Sequence, residues 1–194
     1  LLLGPLISLI NFSGLSLSLS VSDVAAIKFT FVQAAYSATL STLLAIPVAK
    51  ALQRQSFWGK RFVVLILGAP FILPVIVAVL GLILVFGNNG IFNSILNLIG
   101  LNSLKIYGFW GVILAHVFFN LPLAIRILLQ AFNDVSGEQY RLISSLKLSF
   151  IQKFYVLEWP ILKKVCPGVW AVIFAICLSS FAVVLTLGGG PKAT

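Results

Sequence analysis

Residues 62–86 read FVVLILGAPFILPVIVAVLGLILVF, without a single Asp, Glu, Lys or Arg. A helix needs about 20 mostly apolar residues to cross the hydrocarbon core of a bilayer, and this run is long enough. Backbone groups in lipid must pair within a helix or around a closed barrel. A barrel strand is short and alternates apolar with polar residues, whereas this run is continuous. The reading is an all-α, polytopic helical membrane protein. Pro70 and Pro74 each remove a backbone donor, so a kinked or broken helix is expected there. Composition agrees: the chain is 60% hydrophobic and 9% charged, with a mean hydropathy of +1.13. An ordinary soluble domain carries roughly 25% charged residues.

Toward the N-terminus, residues 50–61 form a connection with Lys50, Arg54, Lys60 and Arg61 and no acid. Residues 29–49 read as a span. Its Ser37, Thr39, Ser41 and Thr42 can bond back to helix carbonyls, and Ala34, Ala35, Ala38 and Ala45 suit close helix packing. Pro47 is expected to kink its end. Residues 11–28 are Ser-rich and read as an external connection. The Leu/Ser alternation over 15–20 fits a short extended segment. Residues 1–10 read as the end of an earlier span interrupted by Gly4-Pro5. The chain has no methionine and begins with leucine, as expected of a piece of a longer protein.

Toward the C-terminus, Gly87-Asn88-Asn89-Gly90 is a strong turn signal, followed by a short amphipathic segment over 91–100. Residues 109–130 form a span carrying His116, Asn120, Pro122 and Arg126, with a bend expected at Pro122. A long polar connection follows over 131–164. The last span covers 165–187 and ends at Gly188-Gly189-Gly190-Pro191. About five spans are expected in all.

Charge orients the spans, because short cytoplasmic loops are rich in Lys and Arg. With 50–61 and 131–164 inside, that side holds Lys50, Arg54, Lys60, Arg61, Arg126, Arg141, Lys147, Lys153, Lys163 and Lys164. The outside holds Lys28, Lys105 and Lys192. The net charge of +9 is thus explained by topology rather than by nucleic acid.

The chemistry-bearing residues are few. Asp23, Asp134, Glu138 and Glu158 all fall in the expected connections, and ion-coupled carriers commonly use ionisable groups at membrane depth. No metal-ligand spacing, nucleophile motif or Gly-rich phosphate loop is present. No catalytic residue and no cofactor are therefore expected in this chain. Cys166 and Cys177 read as small apolar side chains. His116 is the only histidine. It stands either on a translocation path with Asn120, one turn away, or in an interhelical hydrogen bond that orients two spans.

Within 139–148, Leu142, Ile143 and Leu146 form an apolar face of a short helix, with Arg141 and Lys147 on other faces. Such a helix docks in a groove of a soluble partner or lies on anionic lipid.

A short helix, a hydrophobic step and an aromatic residue before proline resemble the coupling-loop signature of binding-protein-dependent ABC importer permeases. Aligned on Trp159-Pro160, the Glu-Ala-Ala positions of that signature fall on Arg141-Leu142-Ile143, and its Gly on Lys147. The departures bear on the local turn and on the strength of ATPase coupling. The chain is more closely similar to thiamine-transporter permeases of Gram-negative bacteria. The likeness rests on Ile72-Leu73-Pro74-Val75, Ala115-His116-Val117-Phe118-Phe119-Asn120-Leu121-Pro122, Gly137-Glu138-Gln139, Glu158-Trp159-Pro160 and Leu187-Gly188-Gly189-Gly190-Pro191. Permeases for ferric iron share parts of this pattern.

The resemblance implies a type I importer permease fold in a bacterial inner membrane, with this chain the N-terminal half of a fused two-half permease, cut short. It implies a second permease half, a periplasmic substrate-binding protein and a cytoplasmic dimer of ATPase subunits that bind ATP and Mg. Glu138, Arg141, Leu142, Ile143, Leu146 and Lys147 would meet the ATPase, with Glu158, Trp159 and Pro160 setting the loop's exit. His116, Asn120 and Pro122 would line the path or pack helices. Two other expectations stand beside thiamine import: the same architecture with ferric iron or another small solute, and a non-transporting scaffold or intramembrane enzyme.

Overall fold

The computed structural model describes residues 21–68, 73–103, 106–135, 137–146 and 149–188. These residues form helices, with no strand among them. In chain order they are α1 (Val21–Arg54), α2 (Lys60–Ile66), α3 (Val75–Phe86), α4 (Ile91–Leu98), α5 (Phe109–Asn133), α6 (Gly137–Ser145), α7 (Phe150–Lys153), a π-helical turn (Phe154–Glu158), α8 (Trp159–Ser179) and α9 (Phe181–Leu187). Four stretches are long and apolar enough to cross a membrane: Val24–Arg54, Val75–Leu98, Phe109–Asn133 and Ile151–Ser179. The chain is a multi-pass membrane protein. Residues 1–10 and the alternating segment 15–20 lie outside the described residues.

α1, α5 and α8 form the central bundle. The rings of Phe29 and Tyr36 meet Phe109 edge-on at 5.9 and 5.7 Å, Ser37 faces His116, and Leu52 shares a core with Phe132. α1 and α5 therefore run parallel. α8 runs against both, because Gln33 reaches Cys177 while Arg54 reaches Glu158. This is the ordering that the charge pattern requires, with the basic connections at one end of the bundle. Ala34, Ala38, Ala45 and Ala49 are fully buried on α1, against Ala124, Ile125 and Leu128 of α5 and Ile173 of α8. Lipid tails are as apolar as leucine, so close backbone approach over small residues supplies the packing contacts. Ala35, expected among them, is only half-buried.

The span expected over 62–86 is interrupted at Pro74, where α3 begins; Pro70 lies outside the described residues. Pro74 is the N-cap of α3, because proline fixes the entering backbone without needing a donor at a position where none is bonded. At 12 residues, α3 is about 18 Å long, short of the ~30 Å hydrocarbon core. The turn signal at Gly87 is realised: the Gly90 amide donates to Gly87 O at 2.8 Å. Buried Asn93 of α4 donates to Gly87 O at 2.8 Å and satisfies a carbonyl at the end of α3. α3, α9 and the start of α5 share a second core built on Val79, Leu82, Val112, Val183 and Leu187.

Four boundaries differ from the sequence expectation. α1 begins at Val21, so residues 21–28 are helical rather than connecting. It also continues through Pro47 to Arg54, which gives it a length of about 50 Å and carries Lys50 and Arg54 on a helix. The polar connection is shorter than expected, because α5 runs to Asn133 and, beyond α6, the last membrane-long helical stretch begins at Ile151. Trp159-Pro160 therefore lies in the first turn of α8, continuous with the π turn. The π turn, with the Trp159 amide donating to Phe154 O, widens the backbone just before Pro160 and accommodates a residue that has no N–H and crowds the preceding turn. Finally, the last expected span is divided at Ser180 into α8 and α9.

Gly111 marks the tightest backbone approach. A Cβ there would lie 1.4 Å from Ile106 O, a backbone atom that cannot swing away. Gly111→Ala is expected to lower stability by about 1–3 kcal/mol, although alanine favours helix by up to ~1 kcal/mol. A thermal melt of the detergent-solubilised protein measures this, and an unchanged midpoint would contradict the packing described.

Candidate functional site

Three groups of residues carry the chemistry. The first is α6. Glu138, Arg141 and Leu142 are exposed, Ile143 is half-buried, and Leu146, in the turn after the helix, is exposed. The apolar face expected from the sequence is thus uneven: Leu142 and Leu146 are 65% and 64% exposed. The Ser145 hydroxyl donates to Leu142 O at 2.7 Å and helps close the helix. α6 has no extensive packing against another helix among the described residues. Lys147 lies outside the described residues.

The second group links the polar connection to the bundle. Glu158, at the end of the π turn, is buried, while Trp159 and Pro160 are exposed. Its carboxylate receives two cations from the last turns of α1. Arg54 Nη2 donates to Oε1, and Lys50 Nζ lies 2.5 Å from Oε2. The Lys50 ammonium also sits 5.2 Å from the centre of the Phe154 ring, within cation–π range. The sequence reading treated Lys50 and Arg54 only as topology signals. Glu158 is the one acid among the described residues that is buried. A buried carboxylate needs a paired cation, but which cation depends on contacts across more than a hundred residues of chain.

The third group is a polar seam inside the bundle. Gln33, Ser37 and Ser41 follow one another at helical spacing on α1, each fully buried. Opposite them stand His116 and Asn120 of α5, also buried, and Cys177 of α8. Ser37 Oγ is 3.5 Å from His116 Nδ1. Asn120 Nδ2 donates to His116 O at 2.9 Å and weakly to Cys177 Sγ at 3.4 Å. Gln33 Nε2 donates to Cys177 O at 3.4 Å. Thr39 bonds back to Ala35 O at 2.7 Å as expected. Ser37 turns instead toward α5, and the hydroxyls of Ser41 and Thr42 have no partner among the described residues. Pro122 is buried in α5, which continues through it.

His116 and Asn120 also line a cavity of about 200 Å³, together with Leu73, Val75, Phe119 and Ser180. A larger apolar groove of about 380 Å³ runs between α1 and α8, beside Thr42, Trp159 and Trp170. Among the described residues no group of His, Cys, Asp and Glu is placed to hold a metal ion.

No family model matches the chain. Curated proteins do. Over 169 residues the chain is 44% identical to the thiamine transport system permease protein ThiP of Escherichia coli (strain K12), covering 87% of this chain and 32% of that protein. It is 40% identical over 169 residues to the protein of the same name from Brucella abortus (strain 2308), covering 86% of this chain and 31% of that one. It is 31% identical over 166 residues to the probable sulfate transport system permease protein cysT of Helicosporidium sp. subsp. Simulium jonesii, covering 86% of this chain and 61% of that protein. The chain thus spans about a third of the length of the thiamine permeases it matches. All three are named as transport permeases, not as enzymes.

Proposed function

We propose, on the premise that the chain belongs to the transport-system permease family, that it forms the N-terminal half of the membrane subunit of an ATP-driven importer. The cargo is thiamine, carried across a bacterial inner membrane by alternating access. The observation that carries this reading is the 38–44% identity to thiamine permeases over nearly nine-tenths of the chain. The basic end of the bundle faces the cytoplasm, following the charge rule for short loops. There α6 and the turn after it meet an ATPase subunit, which binds ATP and Mg. A periplasmic binding protein delivers cargo at the opposite end, and a second half completes the path.

The physical route from ATPase to path runs through the second group of residues. A push on α6 reaches the π turn, which is clamped to the end of α1 by Glu158, Lys50 and Arg54. α1 packs along α5 and α8, so displacement of one end moves the bundle as a rigid body. No covalent chemistry occurs in this chain.

The test is uptake by cells that lack their own thiamine permease and express the full-length protein with its ATPase and binding protein. Accumulation of labelled thiamine, unaffected by excess sulfate or ferric iron, is the expected result. Uptake of sulfate or iron without thiamine would keep the permease and replace the cargo.

A further inference from the structure

Two helix interruptions and the buried polar pair of α5 meet at one place. α3 starts at Val75 after Pro74, and α8 gives way to α9 at Ser180. Leu73, Val75 and Ser180, from these two breaks, line the same cavity of about 200 Å³ as His116, Phe119 and Asn120. Backbone freed from helix at membrane depth is tolerated where it lines a cavity, and in transporters such interruptions recur at the cargo site.

The polar pair is only partly used by the protein. His116 is 1% exposed. Its Nδ1 is turned to Ser37 of α1, while Nε2 is buried without a partner among the described residues. Asn120 spends its amide group on His116 O and Cys177 Sγ, and no hydrogen bond to its Oδ1 occurs among the described residues. A buried polar atom left without a partner is costly. Residues four apart share a helix face, so both unused atoms belong to the same side of α5. Phe119 adds an aromatic surface beside them.

We infer that this cavity is a cargo-recognition site for the aminopyrimidine ring of the transported molecule. With Nδ1 accepting from the Ser37 hydroxyl, His116 Nε2 carries a proton and donates to a ring nitrogen. Asn120 Oδ1 accepts from the adjacent exocyclic amino group, and Phe119 contacts the ring. Pockets that hold a whole small ligand measure roughly 300–1,000 Å³, so this one takes a single ring and leaves the rest of the cargo to the second half. The assignment rests on the importer function proposed above.

The experiment compares uptake of thiamine with uptake of its analogue carrying oxygen in place of the pyrimidine amino group. That analogue reverses the donor and acceptor edge. The full-length permease is used with its ATPase and one unchanged binding protein, so any change in preference arises in the permease. Asn120→Leu and His116→Phe keep side-chain bulk but remove the acceptor and the donor. Each is expected to reduce the preference for thiamine about tenfold, the value of one well-placed hydrogen bond of ~1.4 kcal/mol. His116→Gln restores a donor and is expected to recover preference. Equal losses for both compounds in every variant, including His116→Gln, would make the pair a packing device and overturn the inference. Absence of thiamine uptake by the unaltered permease would overturn the importer reading itself, a result separable from the first.

Discussion

Leu142→Asp combined with Ile143→Asp is expected to abolish capture of the ATPase subunit by the full-length permease, while membrane insertion stays normal. Both side chains lie on α6, which has no extensive packing of its own against the bundle. Leu142 presents 65% of its surface. A leucine-sized side chain that becomes buried at an interface contributes about 1.5–3 kcal/mol. An ionised aspartate in the same place must instead be desolvated, at a cost of several kcal/mol unless paired. Two such replacements amount to a loss of at least a thousandfold in affinity, since each ~1.4 kcal/mol is a factor of ten. Thiamine uptake should fall to background with it. Because Ile143 is half-buried, Leu142→Asp alone serves as a control that leaves the inner contacts of α6 intact, and it should weaken capture by about a factor of ten or more. Undiminished capture by the double variant would remove α6 as the main grip and direct attention to the second half of the permease.

The order and direction of the spans were readable because they follow from hydrophobicity and charge, both local properties. The apolar run over 62–86, its break at Pro74 and the turn at Gly87 each have a cause within a few residues. The common direction of α1 and α5 follows from alternation of spans, and most of the alanines chosen on α1 for their small size are buried; which spans pack together was not legible. What escaped the reading depends on partners remote in sequence or on backbone geometry that no residue announces. Only the resemblance places Trp159-Pro160 at the loop's exit, and a proline there would ordinarily disturb a helix that runs through it. A π turn one step earlier removes the conflict, and nothing in Phe154–Glu158 signals it. Ser180 interrupts α8 within a Ser-Ser pair that could equally have stayed helical. His116 and Asn120 were legible as a pair, but the cavity beside them required the breaks at Pro74 and Ser180 to be brought together.

Glu158→Ala is expected to be the most destabilising single change at the basic end of the bundle. It removes the buried carboxylate that both Lys50 and Arg54 pair with. Removing one partner of a buried ion pair costs about 3–5 kcal/mol. Here the lower end of that range applies, because the Arg54 side chain is 45% exposed and the Lys50 side chain 19%, so both cations can turn partly toward water. The loss should appear as a lower thermal midpoint of the solubilised protein. Removing the whole cluster, with Lys50→Ala and Arg54→Ala added to Glu158→Ala, should be less damaging than the single change, since no uncompensated charge then remains buried. Stability and coupling separate in this comparison. If the cluster serves to carry motion from the π turn to α1, the triple variant recovers its thermal midpoint but not thiamine uptake, whereas ATP hydrolysis by the bound ATPase continues. Recovery of both would reduce the cluster to a charge balance. A triple variant less stable than Glu158→Ala would show that Lys50 and Arg54 stabilise this end by packing, through the Lys50 contact with Phe154, more than by neutralising the carboxylate.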